Sequence, residues 1–126
     1  MSLRNPLARA RGLGSAKEGT AHWMSQRVTA LALIPLTLWF AYSVLRVLHG
    51  DYAHAYAWVH APLVSVLLVI LIGTAFYHAY LGLQMVVEDY VHGAWSKFGS
   101  LLLIKFICVL LALSGIFAVL RTAFGG

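Results

Sequence analysis

The chain has 126 residues, 61% of them apolar and only 10% formally charged. Soluble domains average about 45–50% apolar and about 25% charged residues, and so short a chain has too much surface for its volume to hide this much apolar side chain. The composition excludes disorder, a collagen-like repeat, a disulfide-rich secreted module and a soluble nucleotide-binding enzyme, and it leaves a small integral membrane protein.

The formal net charge is +5, and its densest part is the start, where Arg4, Arg9, Arg11 and Lys17 face only Glu18. Directly before an apolar run, such a stretch reads as a topology and anionic-lipid signal, not as a nucleic-acid arm. Residues 1–20 hold no apolar core, so they lack the plan of a secretory signal. Pro6, Gly12, Gly14 and Gly19 interrupt the segment, and a cytoplasmic tail suits it better than a mitochondrial transit peptide. Cys108 is the one cysteine. It can form no disulfide within the chain and cannot build a cysteine-ligated iron–sulfur cluster, so it reads as a small apolar filler.

Three runs, over residues 28–45, 61–87 and 98–120, carry no formal charge except Lys105. About 20 apolar residues suffice to cross roughly 30 Å of hydrocarbon, and continuous runs in lipid must be helical to satisfy their own backbone. The expectation is an all-α integral membrane protein. A cytoplasmic segment over 1–25 precedes a three-helix anchor over 26–126, with helices at about 26–48, 61–88 and 98–121. Pro35 lies inside the first and is tolerated there, at the risk of a kink. Basic residues set the orientation: four in the tail plus Arg27 place the N-terminus and the second loop inside, and the first loop and the C-terminus outside. In a bacterial inner membrane that means a cytoplasmic N-terminus and a periplasmic C-terminus; a mitochondrial inner membrane is the lesser reading. Trp23, Trp58 and Trp95 fall near helix ends, as an aromatic belt requires. The loops are too short for a soluble catalytic domain.

Ionisable groups inside lipid are costly and are therefore candidates for function. His22, His49, His54, His60 and His92 fall at helix ends or in loops, and only His78 lies deep in a run. Two readings stand for it. It fastens the bundle through a hydrogen bond to a neighbouring helix, or it is an axial ligand to haem iron. His78, Gly82, Met85 and Asp89 share one helical face, and Gly82 removes bulk where a flat macrocycle would lie. No second deep histidine exists, and Met85 stands on the same helix, so the other axial ligand would come from another chain.

At the inner end of the second helix, Glu88, Asp89 and Tyr90 read either as a solvated helix end with an interfacial anchor or as part of a quinone site. A phenol can donate to a quinone carbonyl, and a carboxylate can assist proton supply. Arg27 reads as a snorkelling anchor or as the partner of a haem propionate. His22 and Trp23 lie about one turn earlier. Lys105, about two turns into the third helix, suits a lipid phosphate.

The run His78-Ala79-Tyr80-Leu81-Gly82-Leu83-Gln84-Met85-Val86-Val87-Glu88-Asp89-Tyr90-Val91 resembles the signature of the smaller hydrophobic membrane anchors of succinate dehydrogenase, complex II: a histidine, a glycine four later, and Asp-Tyr at eleven and twelve. Gln26-Arg27-Val28-Thr29-Ala30 is similar to that family's Arg-x-Thr-Ala stretch. The resemblance covers the chain from His22 onward. It implies half of a heterodimeric six-helix anchor, formed with the related cytochrome b anchor of the same complex. It implies haem b with His78 as one axial ligand, and Arg27 near a propionate. It also implies Tyr90 at the ubiquinone site with Asp89 beside it. His22 resembles a family histidine near the haem, with its spacing to Arg27 shifted by one. The flavoprotein and iron–sulfur partners would carry the succinate chemistry, so the chain is not an enzyme alone. The alternatives are the anchor of a related fumarate reductase, a haem-free structural anchor, and an unrelated small transporter or assembly helper.

Overall fold

The computed structural model describes residues 15–125. Four helices follow in order: α1 (Ser15–Val47), α2 (Tyr52–His60), α3 (Pro62–Tyr90) and α4 (Ala94–Phe124). Three of them are long and apolar enough to cross a membrane, over Thr20–Val47, Pro62–Tyr90 and Ala94–Phe124. The expected three-span architecture is therefore present. Arg4, Arg9 and Arg11, and the tail role assigned to them, lie outside the described residues.

The helix ends differ from the expected ones in an informative way. α1 begins at Ser15, well before position 26, so part of the expected tail is helix. Hydropathy marks where lipid begins, whereas the helix itself runs back through Ala16, Lys17, Glu18 and Ala21, most of them strong helix formers. Pro35 sits within α1, which continues through it. α3 opens on Pro62, whose missing N–H is no loss in a first turn. It closes at Val91, which turns extended at φ −96° and ψ 120°. Only residues 91–93 join α3 to α4, a tight antiparallel helical hairpin.

α2 was not expected, since its residues read as loop. It starts where the Asp51 side chain accepts a hydrogen bond from the His54 amide at 2.9 Å, which caps the first turn. Trp58 packs on α1, its ring 6.0 Å from that of Trp39 and 6.3 Å from that of Phe40. The Tyr56 hydroxyl donates to the Gly125 carbonyl at 2.9 Å, and His60 Nδ1 lies 3.2 Å from the Thr122 carbonyl. The first connection and the far end of α4 are thus joined at one end of the molecule.

The three spans form a row. α3 packs against α1 on one side and against α4 on the other, and α1 and α4 do not pack on each other. At Gly115 a β-carbon would come within 3.3 Å of the Ile72 side chain, so glycine lets α4 approach α3 closely there. A row buries little: the buried apolar side chains are Leu68, Leu71, Leu81, Val87 and Cys108. The expected filler role of Cys108 agrees with its burial.

Candidate functional site

His78 sits in the middle of α3, half-buried, where α3 faces α1. Its Nδ1 lies 2.9 Å from the Thr29 hydroxyl of α1. The fastening hydrogen bond expected under one reading of His78 therefore exists, and it occupies a single ring nitrogen. Nε2 has no hydrogen-bond partner among the described residues. An imidazole held at one nitrogen and free at the other is the arrangement that metal-ligating histidines adopt.

One turn on, Gly82 faces open space: a β-carbon built there meets nothing within 4 Å. Met85 and Asp89, further along the same face, are exposed. This face of α3 is not covered by α1 or α4 along its inner half. Among the described residues, no three His, Cys, Asp or Glu side chains gather as a metal cage would. The chain suits iron held by one protein ligand, not a cluster of ligands.

At the end of α3, Tyr90 is 76% exposed and Asp89 is exposed beside it. Glu88 is engaged along its own helix, accepting from Gln84 Nε2 at 3.3 Å. About 18 Å of helix separates His78 from Tyr90, at 1.5 Å per residue. On α1, Arg27 is exposed and its guanidinium lies 5.6 Å from the centre of the Trp23 ring, a cation–π contact. Arg27, Asp89 and Tyr90 are not joined by hydrogen bonds to one another or to His78, whose partner is Thr29.

His22 is half-buried, and its Nε2 is fully buried without a hydrogen-bond partner. Gln26, one turn along, has its Oε1 in the same condition. Sequence reasoning singles out His22 and passes over Gln26. Buried polar atoms normally find partners, so two orphans one turn apart mark the inner part of α1 as a place where something polar is to be received. Thr29 is also missed as a functional residue, though it stands in the quoted Gln26–Ala30 stretch. Lys105 is exposed, and its stem lines an apolar groove of about 260 Å³ between α3 and α4, with Tyr77 and Tyr80.

Comparison with known proteins agrees with this arrangement of spans. Residues 1–112 match the family described as succinate dehydrogenase/fumarate reductase transmembrane subunit. The chain is 33% identical over 118 residues to the succinate dehydrogenase hydrophobic membrane anchor subunit of Rickettsia bellii, covering 93% of this chain and 94% of that one. It is 28% identical over 125 residues to the subunit of the same description from Paracoccus denitrificans, covering 99% and 96%. No solved structure matches. The chain belongs to the family of succinate dehydrogenase/fumarate reductase transmembrane subunits.

Proposed function

We propose that the chain is the membrane anchor of a succinate:quinone oxidoreductase. In this reading it pairs with a second anchor chain, tethers the flavoprotein and iron–sulfur subunits to the inner membrane face, supplies one axial ligand to haem b, and contributes to the ubiquinone site. The observation that carries the reading is His78: its Nδ1 is engaged by Thr29, its Nε2 is free, and the space at Gly82 one turn away is open. A deep histidine used only as a fastener would not need the clearance at Gly82.

The residues fit a haem in three respects. His78 Nε2 would hold the iron. Gly82 leaves room for the macrocycle edge. The exposed Arg27 guanidinium, and the His22 Nε2 that lacks a partner, are donors suited to a propionate carboxylate. Haem b, when bound, supplies a one-electron store inside the membrane.

The quinone chemistry rests on the end of α3. Two electrons arrive from the iron–sulfur partner, and the quinone takes two protons to become quinol. The Tyr90 phenol would donate its O–H to one quinone carbonyl, hold the ring in place and favour charge developing on that oxygen. Asp89, exposed beside it and not engaged as Glu88 is, would pass protons from the aqueous side. Donors for succinate binding and groups for hydride transfer are left to the partner subunits. The curated relatives are described as succinate dehydrogenase anchors, which favours that direction over fumarate reduction for this chain.

The test is a pair of substitutions in the assembled complex. His78→Ala is expected to abolish the b-type band in a reduced-minus-oxidised spectrum, and Tyr90→Phe to cut succinate-to-quinone electron transfer on the order of 10²-fold while succinate oxidation by a soluble dye is unchanged. A b-type band that survives His78→Ala removes the ligand assignment. Quinone reduction unaltered by Tyr90→Phe removes Tyr90 from the site.

A further inference from the structure

The Thr29 hydroxyl has three neighbours: the Ser25 carbonyl at 2.7 Å, the Gln26 carbonyl at 3.0 Å and His78 Nδ1 at 2.9 Å. A hydroxyl has one proton and two lone pairs, and a carbonyl oxygen has no proton to give. The two short contacts to carbonyls therefore consume the hydroxyl proton. Were that proton turned toward His78 instead, two bare oxygens would face each other at 2.7 Å. The contact to His78 must then run the other way, with Nδ1–H donating to a lone pair of Oγ1. A neutral imidazole protonated at Nδ1 has its lone pair on Nε2.

We propose that Thr29 is a positioning residue for His78: its hydroxyl, oriented by the backbone of its own helix, accepts the Nδ1 proton, fixes the tautomer with the lone pair on Nε2, and aims that nitrogen at the haem iron. The proposal rests on the reading of His78 as an axial ligand. It assigns to α1 a role in the iron's electronic properties, beyond the role of a packing helix. An acceptor on the Nδ1 proton makes the imidazole a stronger donor to iron, and a stronger donor stabilises the ferric form.

The experiment compares Thr29→Val, Thr29→Ser and His78→Ala in the full complex, reading the haem midpoint potential, the optical spectrum and the rate of haem transfer to an excess of apo-myoglobin. Val keeps the shape of Thr and removes the acceptor. It is expected to raise the haem potential and to speed haem loss by about 10–100-fold, the usual cost of a lost outer partner to a metal ligand. Ser is expected to restore both. Loss of haem in His78→Ala together with an unmoved potential in Thr29→Val overturns the role of Thr29 and leaves the ligand reading intact. Haem retained in His78→Ala overturns both. If Thr29→Val does not assemble, Thr29→Cys, a weak acceptor, takes its place. A potential above that of Thr29→Ser is then expected, and equal potentials overturn the proposal.

Discussion

At the scale of single residues, the candidate site depends on one nitrogen and one empty volume. His78 has its Nδ1 tied to Thr29, and Gly82 has nothing within 4 Å of its would-be β-carbon. The emptiness separates two roles that sequence alone leaves together. A Gly82→Leu side chain meets no protein atom at its β-carbon, so the fold tolerates it, and helix propensity favours Leu over Gly by roughly 0.8 kcal/mol. If the volume receives a macrocycle edge, the same change expels it. The expected outcome is an anchor present in the membrane at its normal level, with most of its haem absent from the pyridine haemochrome assay; normal haem content in that variant would show that the space serves packing with the partner only. His78, Asp89 and Tyr90 were legible in the sequence because polar groups in or beside a long apolar run are expensive and stand out. Thr29 and Gln26 were not. A threonine in a membrane helix ordinarily satisfies itself on the carbonyl a turn back, as Thr29 does with Ser25 and Gln26. Its second role exists only once α1 lies against α3.

Elements tell a different part of the story, because their ends fix which side each group faces. The start of α1, the end of α3 and the turn over residues 91–93 lie at one end of the row. α2 and the end of α4 lie at the other, tied by Tyr56 to Gly125 and by His60 to Thr122. Asp89 and Tyr90 thus belong to the end from which the basic N-terminal segment extends. The positive-inside bias assigns that end to the cytoplasm, where the iron–sulfur partner of the proposed function would dock. An alkaline phosphatase fused after Gly126 is expected to be active in a bacterial host, and one inserted after His92 inactive; the reverse pattern would put Tyr90 on the wrong side for its proposed electron donor. The three spans were readable because lipid permits only one backbone solution for long apolar runs. Their ends were less so, since α1 continues past the apolar boundary to Ser15. α2 was missed because nine residues rich in Tyr, Ala and Trp make too short a run to register, although Asp51 carried an N-cap signal.

For the whole molecule, the decisive property is that the spans form a row and not a bundle. With α3 between α1 and α4, and those two apart, both broad faces of the layer stay open. Many large apolar side chains remain exposed, among them Leu31, Ile34, Leu38, Phe106, Leu110 and Phe117. Lipid tails can cover such side chains without any gain from association, so exposure alone implies no partner. Polar atoms are another matter. The free Nε2 of His78 and the orphaned atoms of His22 and Gln26 are groups that lipid cannot satisfy, and each such group left unpaired in hydrocarbon costs several kcal/mol. A second layer of similar helices, carrying the opposite axial ligand, would close over the open face of α3 and complete the six-helix anchor. The chain expressed without a second anchor is therefore expected to reach the membrane yet bind no six-coordinate haem, and to be digested by protease in detergent. Co-expression with the second anchor is expected to give a defined heterodimer with a low-spin b-type spectrum. A low-spin six-coordinate haem on the chain by itself would mean that the second ligand comes from another copy of this chain, and the proposed division of the haem between two different anchors would fall.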